Sequence, residues 1–428
     1  MEKKMQLFHI ERMRGNIAQA GPMPSSRALV STTVQMAWPS IVESFLVALV
    51  GMVDTMMVGT LGPHAIAAVG LTTQPKFIAL AFFIALNVAV SATVARRRGE
   101  EDREGANRAL LLALTLAVVT TALVATLAVR YADPILHFAG TASDTHAEAV
   151  AYFQTIMMGL GFTTVTLCIN AAQRGVGNTR LSLYTNLVSN LVNVAFNYLL
   201  IGGNFGFPRL GVRGAAIATV IGSFCGFLMS LRSISNRDGY LFLFDREAMR
   251  FDLRTVRSLA SVGSSTLAEQ LFMRIGFFTY VRIVAGLGTS EFAAYQIGMN
   301  LMNLSFSFGD GLSAAAIALV GRSLGAGRPD LAKIYGGVCQ RIGVLFSTMI
   351  SLVFLTMGRA LFRLFTDDEA VLSYSPMLLS VLCVVVFLQI AQVIFTACLR
   401  AGGDTLYTAL VALISITFVR PGMGWLLC

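Results

Sequence analysis

Glu43 and Asp54 stand 11 residues apart in the first strongly apolar stretch of the chain. At 100° per residue this is three helical turns plus about 20°, so both carboxylates leave one helix face, roughly 16 Å apart along the axis. A carboxylate in hydrocarbon costs about 3 kcal/mol even on the mild insertion scale, which makes each one a candidate for ion or substrate handling. Glu43 can equally serve as a structural hydrogen-bonding group. For Asp54 the functional reading is preferred. Asn186, Asn190, Asn193 and Asn197 follow at spacings of 4, 3 and 4, a stripe of amides along one face of a single helix. Asn186 and Asn190 suit helix-to-helix hydrogen bonding. Lys76 falls between the depths of Glu43 and Asp54 and can neutralise either, or snorkel. Glu269, Asp310 and Arg274 are further charges inside apolar stretches, with Gln296, Asn300 and Asn303 as a shorter polar stripe. Asp310 and Glu269 are candidates for substrate or secondary proton binding, or for structural pairing. Depth counting sets Arg274 about eight residues nearer one surface than Asp310, against a direct pair between them.

The elements that must hold these groups are helices. Hydrophobic residues make up 55% of the 428 and charged residues 13%, about half the charge of a soluble domain, so most side chains face lipid or each other. Eleven stretches are long enough to cross a bilayer as helices, near 33–58, 65–95, 109–131, 147–171, 181–202, 214–231, 258–285, 291–320, 338–357, 372–398 and 406–427. No ten-residue alternating segments suggest a membrane barrel. If the first stretch runs outward to about residue 58 and the fifth to about 202, Asp54 and Asn197 lie at the same depth and can meet.

The chain also repeats itself. Leu61-Gly62 and Ala67-Ala68 return as Leu287-Gly288 and Ala293-Ala294; Val94, Arg96 and Gly99 return as Val320, Arg322 and Gly325; Arg174, Gly177 and Thr179 return as Arg400, Gly403 and Thr405. The offset is 226 throughout, and Glu43 has its counterpart in Glu269. A gapless repeat in so apolar a chain points to a transporter of two related halves with the substrate path between them. The expected division is a polar tail over 1–32, a first lobe over 33–231, a charged linker over 232–257 and a second lobe over 258–428. Tyr240 to Phe244 in that linker are expected at the membrane surface. Cys428 occupies the repeat position of Gly202, so the sequence stops where the first copy still has a helix to come. Two expectations stand: a chain truncated before a twelfth helix, which is preferred because the sequence stops within an apolar run, or a chain that has lost that helix.

Twenty-three of the 32 Lys and Arg residues fall in the segments on the side of the N-terminus, and six in those opposite. This asymmetry expects a cytoplasmic N-terminus in a multi-pass plasma membrane protein. The net charge of +9 is thereby accounted for without nucleic acid. The polar start has no short apolar core with a cleavage site behind it, against a signal peptide. Six scattered cysteines without CxxC spacing read as small apolar fillers. His9, His64, His137 and His146 form no metal-ligand pair, and no metal site is expected. Nineteen methionines and 29 phenylalanines suit an adaptable greasy cavity or plain lipid contact. There is no phosphate-cradling GxxxxGK[ST], so an ion gradient is left to drive transport. No cofactor is expected.

The runs VDTMMVGTLGPHAIAAVGL (53–71), ARRRGEEDREGANRAL, QRGVGNTRLSLYTNLVSNLVNVAFNYLLIGG (173–203), GVRGAAIATVIG (211–222), GLGTSEFAAYQIGMNL and LRAGGDTLYTAL resemble the multidrug and toxic compound extrusion (MATE) family, in order and across the chain from residue 30 onward. The resemblance implies an all-α antiporter of twelve helices in two six-helix lobes, exporting organic cations or amphipathic compounds against protons or sodium ions, in a bacterial inner membrane and as a monomer. It also implies a cation-coupling cluster in the first lobe at Asp54, Asn193, Asn197 and Thr219. One bacterial branch has Asp where Asn197 stands. A single fixed carboxylate then favours a proton or a weakly held sodium ion over a tightly caged metal. In the second lobe the resemblance places the position of a coupling acid at Gln389.

Two other classes are open. A flippase for lipid-linked oligosaccharides, of the same superfamily, is expected to line its cavity with several basic residues, and only Lys76, Arg274 and Arg282 lie within apolar stretches. A membrane-embedded transferase needs an acidic metal-binding run, and Asp367-Asp368-Glu369 reads as a solvated turn without an acidic partner.

Overall fold

In this computed structural model the described residues are 10, 13, 15, 17–139, 141, 145–237, 239–243, 252–285, 289–363 and 369–427. Leu287 and Gly288 of the repeat, Asp367 and Asp368, His9, Cys428 and residues 244–251 of the charged segment lie outside them, as does the side chain of Gln296.

Among the described residues the fold is all-helical, as the length and composition of the apolar stretches require. In chain order the elements are α1 (Ser26–Gly59), α2 (Pro63–Gly99), α3 (Arg103–Arg130), α4 (Ala132–Phe138), α5 (His146–Met158), α6 (Leu160–Gly175), α7 (Thr179–Gly202), α8 (Gly211–Ser235), α9 (Leu253–Ala285), α10 (Thr289–Gly325), α11 (Pro329–Arg363), α12 (Glu369–Ser373), α13 (Ser375–Gly402), α14 (Thr405–Ala412) and α15 (Arg420–Leu427). A π-helical turn, Leu413–Val419, joins the last two. The eleven expected stretches fall on these rods, α5 and α6 forming one rod bent by 46°. Among the described residues, seven rods, or eight with the bent pair, are apolar enough by composition to cross a membrane unaided. The shortfall has a local cause. α7 carries the four asparagines, α9 carries Glu269 and Arg274, and the last rod is broken by its π turn. The polar side chains that lower their hydropathy are those singled out for function.

The chain divides into two compact units. One comprises Leu46–Arg98 and Asp102–Gly263; the other comprises Met1–Phe45, Gly99–Glu101 and Ser264–Cys428, each over its described residues. The division falls inside α1 and inside α9, so Glu43 and Asp54, on one continuous helix, belong to different units.

In the first unit a core of Phe83, Leu110, Phe153, Met157 and Ile169 is fully buried. Lipid is as apolar as these side chains, so close backbone approach has to supply much of the helix cohesion. α8 meets α7 through glycine. A Cβ on Gly222 would stand 2.5 Å from the Ser189 carbonyl oxygen, and one on Gly214 would stand 2.6 Å from that of Leu200. Thr219 lies between these two contacts and is thereby pressed toward α7.

The segment after α8, expected at the membrane surface, packs on the protein over its described residues. Tyr240–Leu243 fold back into the protein, with Leu241 1% exposed. Arg103 donates to the carbonyls of Arg237, Gly239 and Tyr240 at 3.1, 2.6 and 3.0 Å. The Arg98 guanidinium sits 4.0 Å over the Tyr240 ring, and the Phe242 N–H donates to Asn107 Oδ1 at 3.0 Å. Backbone carbonyls that would otherwise lack partners are what draw the loop in. Phe244 lies outside the described residues.

In the second unit the end of the N-terminal tail is tied to the start of α11. The fully buried Asp330 accepts from Arg328 at 2.9 and 3.0 Å and from the Ala20 N–H at 3.2 Å. Arg328 also donates to Pro22 O at 3.2 Å.

Candidate functional site

Asp54 projects from α1 into a cavity of about 150 Å³ that Tyr152, Asn197 and Thr219 also line. Asn197 Nδ2 donates to Asp54 Oδ1 at 2.7 Å. Asn193, one turn earlier on α7, has its amide nitrogen toward the same carboxylate, because an amide oxygen there would face two carboxylate oxygens at 2.9 and 3.2 Å. In that orientation Asn193 donates to Asp54, and its oxygen accepts from the Thr219 N–H at 3.1 Å. The Thr219 hydroxyl lies 3.1 Å from Asn193 and donates to the Ala215 carbonyl at 3.0 Å. Asp54, Asn193, Asn197 and Thr219 therefore form one contiguous set.

Helical geometry explains why Asn193 and Asn197 act together. Four residues advance 400°, so the two amides stack on one face a turn apart, at the level of one carboxylate. Both are buried, at 5% and 1% exposure, while Asp54 is half-buried and faces the cavity. The Asn197 Oδ1 oxygen is buried with no partner among the described residues. Asp54 and that oxygen give the site more acceptors than donors, the balance that suits a proton or a small cation. Lys76 stands within electrostatic reach of Asp54.

The other stripe residues lie elsewhere. Asn186 donates to the Ser182 carbonyl on its own helix at 3.1 Å, and the Asn190 Nδ2 is buried without a partner among the described residues. Glu43 is half-buried and lines neither cavity described here.

The second unit holds a larger cavity, about 550 Å³, lined by Glu269, Asp310, Asn303 and Gln389 together with methionine, leucine and valine. Three of the expected second-half residues, Glu269, Asp310 and Gln389, thus share one chamber. Asn300 is exposed and does not line it. A group that sequence reasoning passed over completes the chamber. Arg400, read from the sequence as a charge of a connecting segment, lies in the last turn of α13 and lines the cavity. Its Nη2 is 2.7 Å from Glu269 Oε2, with both side chains largely buried. The repeat contained the signal, since Arg400 and Glu269 are the counterparts of Arg174 and Glu43. The first copy does not announce the pair. There Arg174 donates to Ser182 and Asn87 at 2.7 and 3.0 Å.

The two chambers differ in kind. At the repeat offset, Asp54, Asn193 and Asn197 become Tyr280, Val419 and Met423, while Asp310 has Ile84 as its counterpart. The Asp54 set is confined to the first copy, and the set of Glu269, Asp310 and Arg400 is complete only in the second. Elsewhere, both ring nitrogens of His146 are taken, by Thr141 and by Asp133 at 2.8 Å.

A family profile described as MatE matches residues 39–199 and again residues 266–426. The chain is 27% identical over 391 residues to a probable multidrug resistance protein NorM of Thermotoga maritima, covering 90% of this chain and 83% of that one. It is 26% identical to the multidrug resistance protein PmpM of Pseudomonas aeruginosa, covering 93% and 84%. A crystal structure of MATE in complex with MaL6 matches with a TM-score of 0.85 at 19% identity, covering 96% of this chain and 89% of that one.

Proposed function

This chain belongs to the MatE family, one of membrane transporters rather than enzymes, and on that premise we propose that it is a secondary active efflux antiporter. It exports organic cations and other amphipathic compounds in exchange for protons or sodium ions. Two lobes, 33–231 and 258–428, carry the transport, with the 232–257 segment between them. The N-terminus is cytoplasmic, in a bacterial inner membrane, and the working unit is a monomer.

One observation carries the reading: Asp54, the one carboxylate lining its small cavity, is held by Asn197 at 2.7 Å. The names of the relatives NorM and PmpM, both multidrug resistance proteins, support the class of cargo. Ionised Asp54 accepts from both asparagines. A proton or sodium ion on the carboxylate competes for those lone pairs and loosens the hold of α7 on α1. Pro39, inside α1, leaves that helix without one backbone hydrogen bond and is where it can bend. Substrate and coupling ion then bind in competition.

The test is substrate efflux from proteoliposomes under an imposed pH gradient and, separately, an imposed sodium gradient. Wild-type protein is expected to respond to one gradient, and Asp54→Asn to neither. Wild-type rates in the variant would remove Asp54 from the mechanism.

A further inference from the structure

The larger cavity in the second unit contains three charged groups among its lining residues, Glu269, Asp310 and Arg400. Two carboxylates face one guanidinium. The pairing is unequal. Arg400 is 2.7 Å from Glu269, and the two side chains are 13% and 10% exposed. The Asp310 carboxylate is exposed to the cavity, where the Arg400 charge reaches it across a longer gap. Arg400 Nε is buried with no partner among the described residues, so the guanidinium is only partly satisfied by Glu269. The rest of the polar lining is neutral, chiefly Asn303, Gln389 and Gln392, and Met273, Met299 and Met302 supply a polarizable apolar wall.

We infer that this cavity is a binding site for singly charged lipophilic cations, in which Asp310 is the anchor and Arg400 is a tethered counter-ion that cancels Glu269 and limits the site to one positive charge. The inference rests on the efflux reading above and deepens it by giving the site a limit of one positive charge and a specificity-determining residue, Arg400. Coulombic attraction in a partly dehydrated cavity decides the selectivity. One uncompensated carboxylate attracts a monocation. A dication finds a single negative charge and meets Arg400 as a repelling third party. An organic cation can also lie against the aromatic face of Tyr295, which lines the same chamber.

Charge arithmetic gives this site a signature that a simple acid trap lacks. Removing Glu269 alone frees Arg400 to occupy Asp310 and brings the cavity to neutrality, so cation binding falls although the anchor is intact. Removing Glu269 and Arg400 together restores one negative charge and restores binding. If Glu269 were itself the anchor, the double variant would be as defective as the single one.

The experiment is equilibrium binding of ethidium, a monocation, and propidium, its dicationic relative, to the purified full chain in detergent, without any gradient. Binding is read by fluorescence, and folding by thermal unfolding and elution volume. Wild type is expected to prefer ethidium. Asp310→Asn and Glu269→Gln should each lose about tenfold in ethidium affinity. Glu269→Gln/Arg400→Gln should return to within about threefold of wild type. If that double variant does not fold, Arg400→Lys, which conserves the charge, should keep wild-type affinity and preference. A wild type that prefers propidium, or a folded double variant as weak as Glu269→Gln, overturns the inference. Asp54→Asn is measured alongside. Ethidium binding that survives Asp54→Asn and fails in Asp310→Asn supports this site whatever the fate of the coupling reading; the reverse pattern puts the cation elsewhere and overturns it.

Discussion

Asn197 donates to Asp54 at 2.7 Å across 143 residues of chain, while its own carboxamide oxygen is buried without a partner among the described residues. That asymmetry, a donor engaged and an acceptor spare, makes the position sensitive to charge. Asn197→Asp would add a second carboxylate beside the first. Sodium retention by the purified protein should rise by about tenfold, and proton-driven efflux should become dependent on sodium concentration. Isotope binding at fixed pH checks this; unchanged retention would mean that the spare acceptor faces no cation.

Gly222 sets how closely α8 approaches the asparagine stripe. A Cβ there would lie 2.5 Å from the Ser189 carbonyl oxygen and 3.0 Å from the Asn193 Cβ. Gly222→Val should destabilise the protein by about 1–3 kcal/mol through overpacking and should weaken efflux by separating Thr219 from Asn193. Gly51, with nothing within 4 Å of such a Cβ, is the control. Gly51→Ala should leave both the melting temperature and efflux unchanged.

Arg103 holds three carbonyls of the folded-back segment. Arg103→Ala would leave them to find other donors, a loss of about 1–3 kcal/mol for the segment. The expected consequence is faster tryptic cleavage at Arg237, with the rods themselves still protected. Equal cleavage rates in wild type and variant would show that packing of Leu241, rather than the arginine, holds the segment.

Asp252 caps α9. Its carboxylate accepts from the Thr255 hydroxyl at 2.7 Å and from the backbone N–H groups of Arg254 and Thr255 at 3.0 and 3.2 Å. The Thr255 hydroxyl, above all, holds its carboxyl below the usual carboxylate range. A lowered folded-state value means that the cap stabilises above the unfolded value of about 4 and is lost as pH falls through the folded value. The melting temperature of wild type should therefore drop more steeply below pH 4 than that of Asp252→Ala. Parallel curves would place the acid sensitivity elsewhere.

The sequence by itself determined the helices, the repeat and the meeting of Asp54 with Asn197. Each follows from regularities that the chain cannot escape in lipid. Backbone groups must pair within the segment, the rise per residue turns residue number into depth, and a spacing of four keeps side chains on one face. Tertiary structure decided what those rules leave free. The close approach of α8 to α7 depends on Gly214 and Gly222 meeting the carbonyls of a particular neighbour, and helical periodicity carries no information about which helix that is. The fold-back of Tyr240–Leu243 depends on Arg98, Arg103 and Asn107 finding carbonyls and a ring more than 130 residues away. Arg400 was the least legible. A long side chain at a helix end can reach water or turn inward, and only the arrangement of α9, α10 and α13 around one cavity puts its guanidinium on Glu269. Charge type and depth are written along a chain; which opposite charges meet is settled by three-dimensional packing.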